Sequence, residues 1–454
     1  MLFRKKEKDI MEWLENGYNA LLISGARQVG KTFLIRECLK KSKKNYIEIN
    51  LVKNPEYIKM FEFAINKNIS LFIDQLSIIS NNPFDNEETI IFIDEVQECK
   101  EILTAIKFLV EDNSFRYILS GSLLGVELVN LRSAPVGYLR TIEMFPLDFE
   151  EFLIANGLNI KFIEQLKECY CNKIAVNELL HDKLIDALYK YLIIGGMPRA
   201  VQTYLDTNDF IKVSMVHEEI IKEYLVDFTK YEENKKAKLQ LKATYNLIPS
   251  ELNEPNKRYV CNHLDKNYKY DRYENSFNWL IDAGVALPVY NTTELKIPLE
   301  INKKRNLFKL FLSDVGMLTT MYGRNTILKM LSRDNDINYG AIFENFIAQE
   351  LKTHGYKNYY YNNKKYGELD FVIEHKGEVL LLEIKSGKDY TRHSALNNVL
   401  EIHDYNIKNG YVLSNYNLSV NKKIIYLPIY MIMFINQDDI IIPTVNKINF
   451  SDLE

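Results

Sequence analysis

The sequence predicts a multidomain α/β protein, and three observations lead to this prediction. With 454 residues, the chain is longer than one hydrophobic core usually serves. Near the amino terminus, ALLISGARQVGKTFLIRECL reads as an apolar strand, a glycine-bounded loop and an amphipathic helix. Near the carboxyl terminus, a helical pattern precedes two strand-like runs, ELDFVIE and EVLLLEIKSG, which carry acidic residues. We therefore expect an α/β domain at each end of the chain.

The glycine-bounded loop matches the phosphate-binding pattern G-x-x-x-x-G-K-[ST] in its required strand–loop–helix context. It consists of Gly25, Ala26, Arg27, Gln28, Val29, Gly30, Lys31 and Thr32. In such a loop the backbone N–H groups surround phosphates, the lysine neutralises their oxygens, and the threonine hydroxyl is a ligand of Mg²⁺. We expect ATP and Mg²⁺ here; the alternative is a glycine-rich helix start that binds nothing.

A second strand, TIIFIDEVQ, is continuously apolar and ends in Asp94 and Glu95. Such a run is typical of a central parallel strand, and ligands of α/β sheets bind at the carboxyl ends of these strands. We expect Asp94 to belong to the Mg²⁺ shell and Glu95 to polarise the attacking water as the catalytic base. The pair therefore predicts hydrolysis of ATP.

A third strand, FRYILSGS, ends at Ser120, whose hydroxyl would either sense the γ-phosphate or form a turn or helix cap. Arg132 and Arg140 follow, and either is a candidate arginine finger that neutralises charge in the transition state. For any single arginine the alternative is a solvated side chain, and for Arg132 this alternative is favoured.

These segments together resemble AAA+-type ATPases, in particular a prokaryotic group that fuses such a module to a poorly characterised C-terminal domain. The resemblance extends over most of the chain and rests on SGARQVGKT, IFIDEVQ, ILSGS, FPLDFEEFL, GGMPRAV, FKLFLSDVGML and IFENFIAQEL. It implies that Arg140 is the finger and that a helical lid follows the first domain. A homo-oligomer is among the partners considered, although the sequence does not give the oligomeric state. One departure is Ser120, where the family often has threonine.

The middle of the chain has helical periodicity interrupted by Gly195, Gly196 and Pro198. By the resemblance this is the lid, where Arg199 would be a phosphate sensor, although a solvent-facing arginine is the favoured alternative. Further on, a helix in RYENSFNWLIDAG precedes two strands, the pattern of a winged helix, which the resemblance also implies. Basic residues here predict either contact with DNA phosphates or a solvated charged face: Lys257, Arg258, Lys266, Lys269, Lys303, Lys304, Arg305 and Lys309.

The acidic residues near the carboxyl terminus follow a definite order. Glu344 lies on a predicted helix, Asp370 on the first strand, and Glu383 and Lys385 on one face of the second. This order resembles the PD-(D/E)XK nuclease core, with Glu344, Asp370 and Glu383 as ligands of Mg²⁺ and Lys385 orienting the attacking water. Glu368 shares the face of Asp370 and would assist. The alternatives are an inactive binding domain of this fold and a charged edge strand.

We therefore expect four domains: a P-loop AAA+-like ATPase domain (1–155), a helical lid (156–235), a winged helix (236–325) and a nuclease-like α/β domain (326–454). The hypothesis is an ATP-hydrolysing, DNA-directed protein in which ATP gates a metal-dependent nuclease. The rivals are a nucleotide-controlled switch that binds DNA or protein without cleavage, and a motor that moves a substrate. No signal-peptide pattern, few cysteines and no membrane-length apolar run predict a cytoplasmic protein.

Overall fold

The computed structural model describes residues 2–79, 89–122, 137–230, 234–260, 263, 273–334 and 336–437. Arg132, Lys266 and Lys269 lie outside these residues. Two β-sheets organise the described chain, one near each end, with helices between and around them.

The first sheet contains the P-loop strand at its interior. Within the described residues its strands run in the order β2-β3-β4-β1-β5, all parallel. They are β1 (Ala20–Ser24), β2 (Tyr46–Asn50), β3 (Ile90–Asp94), β4 (Arg116–Ser120) and β5 (Leu139–Glu143). The flanking helices are α1 (Lys6–Asn16), α2 (Lys31–Ser42), α3 (Glu56–Lys67), α4 (Ile69–Ile79) and α5 (Lys100–Asp112). Because β3 is buried along its whole length, its apolar sequence is explained by helices covering both faces of the sheet.

A series of helices follows, as the periodicity predicts. It comprises α6 (Phe149–Ala155), α7 (Ile160–Asn172), α8 (Glu178–Ile194), α9 (Pro198–Thr207), α10 (Phe210–Lys230), α11 (Lys235–Asn253) and α12 (Glu274–Asp282). The segment FPLDFEEFL begins α6 with a capping box, in which Asp148 accepts from the N–H of Glu151 and the Glu151 side chain reaches back. Glu350, from the far end of the chain, accepts the N–H of Phe149 at 2.9 Å. This motif therefore joins the first domain to the last.

The second sheet is mixed and includes strands that the sequence assigns to a winged helix. Across the described residues its order is β12-β13-β11-β10-β9-β8-β6-β7. Its strands are β6 (Ala286–Thr292), β7 (Lys303–Leu312), β8 (Tyr359–Asn363), β9 (Gly367–His375), β10 (Glu378–Lys385), β11 (Gly410–Ser414), β12 (Ser419–Asn421) and β13 (Ile424–Pro428). Its helices are α13 (Val315–Met321), α14 (Arg324–Leu331), α15 (Tyr339–Thr353) and α16 (Ser394–Leu400).

The expectation of a separate two-stranded wing is therefore corrected. Strands β6 and β7 do pair antiparallel, but β6 also pairs in parallel with β8 and so continues the C-terminal sheet. The reason is that a strand edge offers unpaired N–H and C=O groups, and its partner here lies some seventy residues further along the chain. Local pattern shows that a strand exists but not which sheet it joins.

Three of the sequence motifs meet at one buried point. Asp314, which begins α13, accepts the N–H of Gly196 at 2.6 Å and that of Met317 at 2.9 Å. A Cβ on Gly196 would lie 2.0 Å from the carbonyl oxygen of Leu147, and one on Gly316 would lie 2.6 Å from the nitrogen of Gly195. The glycines of GGMPRAV and SDVGML are thus required by close backbone packing.

The apolar run IIYLPIYMIMFI belongs to the core. It forms β13 and a short 3₁₀ helix, Ile429–Phe434, whose residues are all buried. No helix among the described residues has the length and hydropathy to cross a membrane.

Candidate functional sites

The P-loop connects β1 to α2 and has the backbone geometry that its glycines predict. Gly25 and Gly30 have φ values of 138° and 94°, and Gln28 has a φ of 64°. Lys31 is almost fully buried, and its Nζ donates to the carbonyl oxygens of Gly25 (2.9 Å) and Ala26 (2.8 Å). Burial lowers the pKa of Lys31 to about 8, although Glu95 and Asp94 act to raise it. An anionic phosphate beside this ammonium would favour its charged form.

Asp94 is the centre of the polar network at the carboxyl edge of the sheet. The Thr32 hydroxyl lies 3.0 and 3.1 Å from its two oxygens, and the Asn50 amide donates to it at 2.9 Å. The buried Ser120 hydroxyl also donates to Asp94. The structure thus brings together the ends of β2, β3 and β4, because parallel strands present their carboxyl ends at one edge. Asn50 was missed from sequence, although a polar residue ending the strand YIEIN was a signal.

Glu95 follows in a left-handed conformation, with a φ of 60°. Its side chain is half-buried and accepts a hydrogen bond from the Gln97 amide at 2.6 Å. Arg140 of β5 is opposite Leu21 of β1, three residues before the strand end that leads into the P-loop. Its guanidinium is 4.0 Å from the carboxylate of Glu12. Within its own chain, Arg140 therefore lies towards the end of the sheet away from the P-loop.

Helical residues from the middle of the chain contact the P-loop. Arg27 pairs with Asp227 of α10 and donates to Ser122 at 3.1 Å, and Gln28 donates to Glu223. The Tyr224 hydroxyl donates to the Arg27 carbonyl at 3.0 Å. Helix α10 therefore holds the outer side of the loop. No sequence signal identified these α10 residues.

A cavity of about 320 Å³ opens beside the P-loop. It is lined by Leu2, Arg4, Gly30, Phe33, Leu34, Pro198, Arg199 and Gln202. Arg4 fixes one wall, since it donates to the carbonyls of Val29 (3.0 Å) and Phe145 (2.6 Å). Arg199 pairs with Glu219. The walls of this cavity are mostly apolar with a few polar groups, a composition typical of small-molecule sites.

The C-terminal acidic residues also converge, but with basic partners. Glu344 of α15 pairs with Lys257 and lies 3.4 Å from the Nζ of Lys309. Glu383 pairs with Lys385 at 2.8 Å, whereas Asp370 accepts the backbone N–H of Ile384 at 2.8 Å. We name this set, together with Glu368 and Arg258, the carboxylate cluster.

Burial sets the protonation of the carboxylate cluster. It raises the pKa of Asp370 well above its usual range, assisted by Glu383 and Glu344. Burial also raises the pKa of Glu383 despite Lys385. For Glu344 the effect of burial is outweighed by Lys309 and Lys257, which hold its pKa below the usual value. Among the described residues, no group of three or more His, Cys, Asp or Glu side chains is arranged to hold a metal ion.

The expected basic patch is divided by these pairings. Lys309 is buried, and Lys257 and Arg258 are half-buried against the acids of the carboxylate cluster. Lys304 and Arg305 are exposed on β7, as the solvent-facing part of the patch. The expectation of one solvent-facing patch is wrong for Lys257, Arg258 and Lys309, because their acidic partners lie on α15 and β9, far away in sequence.

Comparison with known proteins agrees with the geometry at the P-loop. Residues 17–153 match a family model described as an AAA domain. Residues 185–328 match a domain of unknown function (DUF8612), and residues 339–432 match another (DUF4143). The chain therefore carries an AAA-type P-loop ATPase domain, followed by regions whose families have no assigned function.

Whole-chain similarities are more distant. The uncharacterized protein MJ1544 of Methanocaldococcus jannaschii is 24% identical over 366 residues, which cover 78% of this chain and 71% of the relative. A Walker-type ATPase of Pyrococcus abyssi has 16% identity and a TM-score of 0.43, over 71% of this chain and 96% of its own. The RuvB Holliday junction branch migration motor of Thermotoga maritima has 13% identity and a TM-score of 0.28, over 63% and 89%. At these TM-scores the structural likenesses say nothing about the activity of this chain.

Proposed function

We propose that this protein binds ATP at the P-loop and hydrolyses it. The observation that supports the proposal best is the contact between the Thr32 hydroxyl and the Asp94 carboxylate, beside the buried ammonium of Lys31. A hydroxyl and a carboxylate are oxygen donors that fit Mg²⁺ next to phosphates. When bound there, the ion would offset the negative charge of the phosphates.

Each residue of the site then has a distinct role. Lys31 binds the phosphate oxygens, while Asn50 and Ser120 orient the Asp94 carboxylate. Glu95, held by Gln97, accepts a proton from the attacking water as the base. The cavity beside Gly30 takes the nucleoside.

Two substitutions separate binding from hydrolysis. Lys31→Ala should abolish binding of a fluorescent ATP analogue, because the phosphates lose their ammonium partner. Glu95→Gln should bind ATP normally but hydrolyse it about 10²- to 10⁴-fold more slowly, since the amide cannot accept the proton. The control is Glu111→Gln on the exposed side of α5. Turnover by Glu95→Gln at the parental rate would contradict the assignment of the base.

For the C-terminal domain, the first candidate is a metal-dependent nuclease that ATP gates and that acts on DNA. Two observations favour it. Glu344, Asp370 and Glu383 lie close enough to influence one another's charge. Glu383 Oε2 is buried and has no hydrogen-bond partner among the described residues, so it is available to a ligand. The test is cleavage of labelled DNA by the parent, Asp370→Ala and Lys385→Ala proteins, with and without ATP, in Mg²⁺, Mn²⁺ or EDTA. Cutting that both variants lose would support this candidate.

The second candidate is a nucleotide-controlled switch that binds DNA or a protein partner without cleavage. The elements around the P-loop favour it, because they continue into the second sheet. Asp314, two residues beyond β7, contacts Gly196 just before the cavity residue Pro198, and the turn at Gly284 approaches Ala26. Hydrogen exchange in residues 303–312 should then respond to a non-hydrolysable ATP analogue, and an unchanged exchange pattern would count against the switch.

A further inference from the structure

Lys309 is a buried lysine inside a group of carboxylates. Only 1% of its surface is exposed, and its Nζ lies 2.9 Å from Glu368 Oε1 and 3.4 Å from Glu344 Oε2. The ammonium also lies 5.3 Å from the ring centroid of Tyr360. A lysine is rarely buried to this extent unless it is paired, so these contacts fix its position.

The charges of the carboxylate cluster balance without any added ion. Its acids are Glu344, Glu368, Asp370 and Glu383, and its basic groups are Lys257, Arg258, Lys309 and Lys385. The formal sum is four negative charges against four positive ones. Burial and the neighbouring carboxylates also raise the pKa of Asp370, which favours its neutral form. Charge balance in this arrangement therefore requires no divalent cation.

The oxygens that a metal would use are mostly engaged. Glu344 is bound through Oε1 by Lys257 and through Oε2 by Lys309, and Glu383 Oε1 is bound by Lys385. Asp370 Oδ2 accepts a backbone N–H. A divalent ion placed at the remaining oxygens would lie next to ammonium groups, and like charges in a buried site repel strongly.

We propose that Lys309, bound between Glu344 and Glu368, is the fixed internal cation of the carboxylate cluster and supplies the positive charge that a divalent metal ion supplies in a nuclease site. The residues present do not fit Mg²⁺ or Mn²⁺, and the C-terminal domain works without either ion. Of the two candidates for the C-terminal domain, the nucleotide-controlled switch therefore fits the carboxylate cluster better, because a switch needs no metal ion there. Strand β7 carries Lys309, and Asp314 follows two residues after its end and binds the N–H of Gly196. One strand therefore connects the carboxylate cluster to the loop at Gly196.

Binding of Mn²⁺ to the full-length protein tests this inference without nucleotide, so its outcome is distinct from that of the ATPase assays. Asp94→Asn is placed in every protein to remove the metal ligand of the P-loop site. Free Mn²⁺ is then counted by electron paramagnetic resonance for this background and for the background with Asp370→Asn. We expect identical isotherms, because Asp370 holds no metal.

A gain-of-binding variant provides the complementary test. Lys309→Met removes the ammonium and keeps most of the side-chain volume, so the cluster should bind about one Mn²⁺ ion per chain that the background does not bind. Adding Glu383→Gln should remove that binding, and the charge-conserving Lys309→Arg should never acquire it.

Two results would overturn the inference. One is Mn²⁺ binding by the background protein that Asp370→Asn abolishes. The other is a folded Lys309→Met protein that gains no Mn²⁺. If Lys309→Met does not fold, the Mn²⁺ isotherms of the background protein with and without Asp370→Asn still test whether the cluster binds a metal ion.

Discussion

Replacement of Asp314 by alanine should destabilise the protein more than the loss of an ordinary helix cap. Asp314 has no exposed surface and accepts the backbone N–H of Met317 in its own helix and that of Gly196 in the loop before α9. The second contact joins segments 118 residues apart. The variant therefore removes a cap and leaves a buried donor unsatisfied at the same time.

The magnitude follows from these two contacts. Loss of an N-cap costs about 1 kcal/mol, and an unsatisfied buried N–H costs about 1–3 kcal/mol. Their sum gives a decrease in the free energy of unfolding of roughly 2–4 kcal/mol for Asp314→Ala. The matched control is Asn159→Ala, which removes the cap of α7, where the side chain accepts the N–H of Lys161 within its own helix at 3.0 Å. It should cost about 1 kcal/mol.

Urea denaturation followed by tryptophan fluorescence measures the difference, since Trp13 and Trp279 report on the two halves of the chain. The affinity for an ATP analogue should also fall in Asp314→Ala, because Gly196 leads directly into Pro198 and Arg199, which line the cavity beside the P-loop. Equal destabilisation by Asp314→Ala and Asn159→Ala would show that the contact with Gly196 stabilises nothing.

Further predictions concern pH and charge. Burial lowers the pKa of His217 to about 4, so its contribution to stability is present above the unfolded value near 6.5 and is lost as the pH falls towards 4. This loss should reach about 3 kcal/mol in urea titrations and be absent in His217→Asn. Burial raises the pKa of Asp314 to about 6, so its contribution to stability is present below the unfolded pKa near 3.9 and is lost as the pH rises through 6. The free energy of unfolding of Asp314→Asn should lack this decrease between about pH 4 and 6. The same decrease in the variant would refute the assignment to Asp314. If the exposed residues of β7 contact DNA phosphates as proposed, reversal of Lys304 and Arg305 to glutamate should weaken binding to DNA of any sequence and reduce its salt dependence by about 1 per charge. Unchanged affinity would leave this part of β7 a solvated face.

Much of the nucleotide site was predictable because its chemistry is local. Gly25, Gly30, Lys31 and Thr32 lie within eight consecutive residues, and their backbone needs are visible in the residue types. Asp94 was predictable because an apolar strand that ends in acid exposes that acid at the ligand edge of a parallel sheet. The AAA-type domain is accordingly confirmed, while the roles of the individual residues stay predictions until the variants are measured.

The sequence alone thus determined the P-loop, the order of strands and helices around it, and the presence of acids on α15, β9 and β10. Only the tertiary structure decided what those acids contact. Lys257 and Lys309 read as part of a solvent-facing basic patch, yet they turn inward to Glu344, because β6 pairs with β8 and brings β7 into the sheet beside α15. Partners that lie 35 to 87 residues apart are chosen by sheet pairing and charge burial, and neither leaves a periodic signal in the sequence.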